Sequence, residues 1–277
     1  MMNKLNFGCG IRISEGWTNI DFSSSDRRIR RVNLLAGFPF PNSHFDVVYS
    51  SHVLEHFTLD EASSLMSEAR RVLKPGGVIR IVVPDLEETS REYLRILDLP
   101  DSDADKLQLY EWIKIELLDQ LVRSVPGGAM MRFIRSVRAG GDSWMIDYIR
   151  SRTESAGWAQ TSEARPKSFV QKLKRITREK LSTKMVYWYL ASVKKLIPGH
   201  LRPMVVNDAT IGERHRWMYD RYGIKLLMQQ TGFVDISFRS FNDSIIPGFV
   251  EDHLDSNTDG SPYKNVSIYC EAAKGAN

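Results

Sequence analysis

The chain has two cysteines, Cys9 and Cys270, in 277 residues. That is too few for a disulfide framework or a cysteine-built zinc site, and it fits a reducing compartment. No run of about 18 apolar residues occurs, so no transmembrane helix is expected. The first eight residues run into a strand signal without the long apolar core of a signal peptide. The expected location is therefore the cytoplasm. There is no internal repeat and no low-complexity tract. A third glycine is also missing. Gly8-Cys9-Gly10 is followed by Ile11-Arg12, short of the G-x-G-x-x-G turn that a nicotinamide dehydrogenase would ordinarily carry.

What is present suffices for a sizeable core. Apolar residues make up 42% of the chain, ordinary for a globular protein. The net charge is only +4, but it is unevenly spread: from Arg165 to Arg202 there are eleven Lys or Arg and one acid, Glu179. Such a stretch suggests an anionic partner. Short strands are expected at residues 4–7, 18–21, 31–33 and 47–50, the last with the apolar run of a buried parallel strand. Thr58 and Glu61 form a capping-box pair. Ala62, Leu65, Met66, Ala69, Val72 and Leu73 then recur at helical spacing. Lys74-Pro75-Gly76-Gly77 should stop that helix and turn the chain into a β-branched strand at 78–83. Residues 86 to about 207 read as helices broken at Pro100-Asp101, Pro126-Gly127-Gly128, Gly140-Gly141 and Pro198-Gly199. A helix at 217–231 and strands at 234–238 and 266–273 close the chain, the strands antiparallel.

Three pieces of this pattern converge. A glycine turn (Gly8, Gly10) follows the first strand, an acid (Asp21) ends the second, and polar residues end the fourth. In an open parallel sheet those positions share the carboxyl edge, where ligands bind. They describe a nucleoside crevice.

The same residues resemble the class I S-adenosylmethionine-dependent methyltransferases. The likeness is greatest to small bacterial members associated with surface-polysaccharide synthesis. It is carried by Leu5-Asn6-Phe7-Gly8-Cys9-Gly10 with Gly16-Trp17-Thr18-Asn19-Ile20-Asp21, and by Phe38-Pro39-Phe40-Pro41 before Phe45-Asp46-Val47-Val48-Tyr49-Ser50-Ser51-His52-Val53-Leu54-Glu55-His56. Glu68-Ala69-Arg70-Arg71-Val72-Leu73-Lys74-Pro75-Gly76-Gly77 adds a third piece. His215-Arg216-Trp217-Met218-Tyr219-Asp220 with Thr231-Gly232-Phe233 completes it. The resemblance covers residues 3 to about 85 and about 212 to 273. Asn6 stands where that pattern often has an acid. Ten residues between Gly10 and Asp21 leave room only for a very short first crossover helix or a loop.

The resemblance implies an α/β fold: a doubly wound, Rossmann-like, mostly parallel sheet with an antiparallel last strand and a helical insertion after strand five. Residues 1–85 and 207–277 would bind S-adenosyl-L-methionine, and 86–206 would form a basic helical cap. Gly8 and Gly10 would let the cofactor lie against the backbone. Asp21 would accept from the ribose hydroxyls, Asn33 and Leu34 would sit by adenine, and Ser50 or Ser51 would lie near the methionine end. The implied reaction is methyl transfer to an oxygen of a sugar, glycan or related small molecule. His52 and Asp85, just past strand ends, are the candidate bases. Their ordinary structural readings are a residue packed under the cofactor and a helix cap. His215 and Tyr219 would line the acceptor pocket, with Trp217 and Met218 as core anchors.

Other readings compete. His52-Val53-Leu54-Glu55-His56 fits H-x-x-E-H, which on a helix would put His52 and His56 on one zinc-binding face of a hydrolase. No metal is assigned on the methyltransferase reading. The basic stretch 165–202 includes an amphipathic pattern (Phe169, Val170, Leu173, Ile176, Leu181) that could meet a membrane surface at the inner face. That would suit a lipid-linked acceptor. Nucleic acid is not expected, since no recognised module accompanies the charge. A non-catalytic scaffold that binds a partner or membrane surface through this insertion is the remaining alternative.

Overall fold

The structure, a computed structural model, describes residues 2–24, 26–153 and 213–276, together with residues 189, 192, 193 and 195–198. The basic stretch 165–202 and its amphipathic pattern lie almost wholly outside the described residues.

Seven strands form one sheet: β1 (Lys4–Phe7), β2 (Trp17–Asp21), β3 (Ile29–Arg31), β4 (Phe45–Ser51), β5 (Leu73–Pro84), β6 (Phe233–Arg239) and β7 (Ser267–Lys274). Their order is β3-β2-β1-β4-β5-β7-β6. The first five pair in parallel, and β7 runs antiparallel to both β5 and β6. This is the expected α/β sheet with an antiparallel close. Its strand order reverses between β1 and β4, the switch point that opens a crevice at the carboxyl edge. No helix separates β1 from β2; residues 8–16 are turns and irregular chain.

The capping box holds. Thr58 Oγ1 accepts from the Glu61 N–H at 3.3 Å, and Glu61 Oε2 accepts from the Thr58 N–H at 2.9 Å. It starts α1 (Leu59–Val72), whose Ala62, Leu65, Met66, Ala69 and Val72 are buried. Two expectations need correction here. The expected turn at Lys74-Pro75-Gly76-Gly77 is an irregularity inside one long strand. Phe45 faces Leu73, whereas Val47 already faces Val78. A Cβ on Gly77 would lie 2.8 Å from the Asp46 carbonyl oxygen, so glycine lets the two backbones approach. The third strand lies at 29–31 rather than 31–33. Beyond it, Asn33 Oδ1 accepts from the Leu35 N–H at 3.2 Å and caps a short 3₁₀ turn.

Four helices follow β5: α2 (Leu86–Leu97), α3 (Lys106–Val122), α4 (Gly128–Gly140) and α5 (Ser143–Arg152). They break where the prolines and glycines stand, and they bury their own cluster around Trp112, Ile113, Ile134, Met145 and Ile149. The chain re-enters the sheet at Tyr219, which makes a parallel bridge with Asp85. The last helix, α6 (Arg221–Gln230), begins later than the expected residue 217 because Asp220 caps it, accepting from the Gly223 N–H at 2.6 Å. Trp217 therefore precedes the helix and is 44% exposed, not a core anchor.

One sheet face packs Leu5, Ile20, Val48, Ile79 and Ile81 with residues of α1 and α6. The other packs Val47, Tyr49, Val82 and Tyr269 with Ile246, Phe249 and Leu254 of the chain between β6 and β7. Arg80 is fully buried on this second side and ion-paired to Asp255 and Glu271, each at 2.7 Å. No helix among the described residues is long and apolar enough to cross a membrane.

Candidate active site

The crevice is built from the ends of β1, β2 and β4. Gly8 and Gly10 have φ of 65° and 53°, values that favour glycine. A Cβ on Gly8 would sit 2.3 Å from Val53 Cγ2, whereas one on Gly10 would meet no atom within 4 Å. The first glycine is thus required by packing, and the second borders open space. Asp21 shapes the turn: it accepts from the Gly10 N–H at 2.8 Å and from the Ser23 N–H at 3.0 Å. A carboxylate offers about four lone-pair positions, so Asp21, which is half-buried, keeps acceptor capacity for a pair of hydroxyls. Beneath the turn, the buried Asn6 donates to the Arg12 carbonyl at 2.9 Å and to Asn19 Oδ1 at 3.1 Å. This neutral amide ties the loop to its own strand.

The other proposed cofactor residues divide. Asn33 is exposed at the edge of the crevice. Leu34 points into the core under the sheet, while Leu35 is exposed; as an adenine wall, Leu34 could serve only through its backbone. Ser50 is buried and donates to the Phe7 carbonyl at 3.0 Å, bracing β4 against β1 at the switch point. Ser51 ends β4.

A second hollow lies beyond the end of β5, under the cap. Its volume is about 380 Å³. His52, His215, Lys264, Gln120 and the Glu116–Arg152 pair stand around it, with Met130, Met131 and Met218 as apolar wall. Arg152 donates to both Glu116 oxygens, at 2.8 and 2.9 Å. Helices α2 to α5 thus contribute one side of this hollow. His215 borders this hollow. Tyr219 does not: it is packed in the core, with its hydroxyl buried beside Glu55. Asp85 also leaves the hollow. It caps α2, accepting from the Glu88 N–H at 3.0 Å, and pairs with Arg221 at 3.2 Å.

The motif His52–His56 departs from a zinc-protease helix. His52 has a φ of 54°, and residues 54–56 form one 3₁₀ turn. Both imidazoles instead approach one carboxylate between them. Glu55 Oε1 lies 3.4 Å from His52 Nδ1 and 4.0 Å from His56 Nε2. Glu55 is 0% exposed, and neither oxygen has a hydrogen-bond partner. Burial pushes its carboxyl above the usual range, against the pull of His56. Burial likewise holds the His52 imidazole well below its ordinary value, with Lys264, His215 and His56 adding to the effect. His215 is held down to about 3, by burial first and then by His56. His52 and His215 are therefore neutral bases at physiological pH.

Sequence reasoning passed over Glu55 as a buried charge, Gln120, Lys264 and the Glu116–Arg152 pair. Only Glu55 left a signal, an acid directly after the apolar Val53-Leu54.

Residues 9–81 match the family model described as a methyltransferase domain. The segment that holds β2 to β4 is thus similar to a methyltransferase domain. S-adenosyl-L-methionine is the methyl donor of such domains, and the open turn at Gly10 with the acceptor Asp21 fits it. The chain is similar in structure to an S-adenosylmethionine-dependent methyltransferase from Methanosarcina mazei, at 12% identity over 100% of this chain and 93% of that one, with a TM-score of 0.40. A possible histamine N-methyltransferase from Thermotoga maritima gives 10% identity over 99% and 83%, with a TM-score of 0.40. The [4+2]-cyclase SpnF gives 22% identity over 29% of this chain and 38% of its own, with a TM-score of 0.25. No curated protein matches the chain.

Proposed function

We propose that the enzyme transfers a methyl group to a hydroxyl oxygen of a sugar, glycan or related small molecule held under the helical cap. The observation that carries this reading is the capped hollow of about 380 Å³ reached by His52, directly after the β4 edge of the donor crevice. When bound, S-adenosylmethionine supplies an electrophilic methyl carbon. The chain's own task is to bring an acceptor oxygen to it and to remove a proton. Ser267 Oγ donates to the Asn265 carbonyl at 3.1 Å, so it accepts from His52 Nε2–H at 2.9 Å. That leaves His52 Nδ1 as the basic nitrogen. Gln120, His215 and Lys264 offer polar contacts to a hydroxylated acceptor beside the methionine wall. A lipid-linked sugar, met at the inner membrane face through the basic stretch 165–202, belongs to the same proposal, as does cytoplasmic residence. The link to glycans comes from family resemblance alone.

The test is a titration with S-adenosylhomocysteine on wild type and Asp21→Ala, followed by methyl-label transfer to sugar intermediates, proteins and nucleic acids. We expect the variant to lose about tenfold or more in affinity, as for a hydrogen bond to a charged group, and label to appear in the sugar fraction. Equal affinities would overturn the ribose role of Asp21. Label in protein or nucleic acid alone would overturn the acceptor.

A further inference from the structure

Glu55 poses a physical problem. Burying an ionisable carboxyl without hydrogen bonds is costly, and native structures rarely leave such a group alone. Its neighbours do not solve it. His56 Nδ1 lies 3.0 Å from the Arg214 carbonyl. A carbonyl can only accept, so Nδ1 carries the hydrogen and the ring turns its Nε2 towards Glu55. His52 turns its Nδ1 to the same oxygen. Ring nitrogens and a carboxylate aimed at one point are the donor set that a divalent cation takes.

A third imidazole completes the group. The Glu55 carbonyl accepts from the Arg216 N–H at 2.7 Å and the Trp217 N–H at 3.1 Å. That pins the returning chain against the motif and brings the His215 ring edge-on to His56, with centroids 5.0 Å apart. Gln120 holds the far side of His215, 3.0 Å from Nε2, and accepts its backbone N–H at 2.8 Å. One ligand atom each from Glu55, His56 and His215 lies within 4.8 Å of the others. Ligands around a zinc ion at about 2.0–2.1 Å stand closer than that, so small side-chain rotations would close the site.

We propose that Glu55, His56 and His215 form a divalent transition-metal site at the wall of the acceptor hollow. Two imidazoles and one carboxylate suit zinc, and also cobalt, manganese or iron. Three protein ligands leave a coordination position open, and His215 borders the hollow. The outer contacts have the form that metal sites use, a backbone carbonyl on His56 and an amide on His215. The ion would hold an acceptor hydroxyl and lower its pKa, leaving His52 to take the proton. This last role rests on the oxygen-methylation reading; the metal site itself does not.

The experiment uses the full chain, stripped with chelator and titrated separately with Zn²⁺ and Co²⁺. Metal content and the visible Co²⁺ spectrum are the readouts, with circular dichroism and S-adenosylhomocysteine titration as controls of folding. We expect one equivalent bound, with nitrogen and oxygen ligation. Stoichiometric binding should be lost in Glu55→Gln, His56→Gln and His215→Gln. Gln120→Ala should weaken it by about tenfold to a hundredfold. His253→Gln, at a histidine between β6 and β7 that stands by Ser256 and outside this group, should leave it unchanged. Absence of stoichiometric metal, or equal binding in the three folded ligand variants, overturns the site. Metal without S-adenosylhomocysteine binding would sink the methyl-donor reading and leave the site standing; the reverse result would sink the site alone.

Discussion

Val53 occupies the volume that a side chain on Gly8 would need. A Cβ there would meet Cγ2 at 2.3 Å and Cγ1 at 3.0 Å. The glycine turn is thus locked by a residue of the His52–His56 motif, and the crevice and that motif share one packing unit. Gly8→Ala should destabilise the fold by about 2–4 kcal/mol, from overpacking and from a positive φ. Val53→Ala in the same chain should recover the packing part. Denaturant midpoints of the two single variants and the double variant test this; strict additivity would show that the contact is not what constrains Gly8.

The two candidate bases separate by placement. His52 lies on the hollow, whereas Asp85 is spent on a helix cap and an ion pair. His52→Gln should abolish most methyl transfer while leaving S-adenosylhomocysteine affinity within about twofold. Asp85→Ala should cost about 1 kcal/mol of stability through the lost cap and leave turnover per folded molecule close to wild type. Single-turnover rates on chromatographically monomeric protein would distinguish them. A dead Asp85→Ala enzyme with an intact fold would reverse the assignment.

Arg80 is a fully buried charge. It donates to Asp255 and Glu271 and also to the Ser240 and Asp243 carbonyls, at 2.7 and 2.9 Å. Tyr49 donates to the second Asp255 oxygen at 2.5 Å. Removing the guanidinium leaves two buried carboxyls without their cation. Arg80→Ala should therefore cost about 3–5 kcal/mol. A loss below about 1 kcal/mol in urea unfolding would mean that the carboxyls are readily neutralised.

Glu68 and Arg71 support the chain before β4. Glu68 Oε2 accepts from the Phe38 N–H at 2.8 Å, and Arg71 donates to the Phe38 and Phe40 carbonyls, each at 2.9 Å. Arg71 holds the Glu68 carboxyl below its ordinary 4.5, with the Phe38 N–H assisting. The unfolded chain then binds the proton more readily, so this contribution is complete above the ordinary value and fades as pH falls below it. Glu68→Gln should be less stable than wild type near neutrality, and the gap should narrow on acidification. A gap that widens at low pH would contradict the pairing.

Much of this architecture is legible in the chain because local chemistry and global placement agree. Thr58 and Glu61 define a helix start wherever they stand, and the prolines and glycines between 100 and 141 mark where cap helices end. Gly8, Gly10 and Asp21 are legible because turn geometry needs those residue types. The failures have a common cause. Tyr219 and Leu34 read as site residues by position along the chain, but which way a side chain turns depends on strand register. The last helix starts at Arg221 and not at 217 because Asp220, a local cap, sets its start. The approach of Glu55 to His215 spans 160 residues of chain, and no local pattern encodes it.

The chain leaves the sheet at Asp85 and returns at Tyr219, where the Leu86 N–H meets the Tyr219 carbonyl at 2.9 Å. Departure and arrival thus share one hydrogen bond. The helices α2 to α5 can therefore change in length without moving a strand, whereas residues 215–217 stay tied to Glu55. On the proposed function, acceptor choice can drift in those helices while the crevice stays as it is. A graft of a foreign cap at these two positions is the natural way to retarget the enzyme.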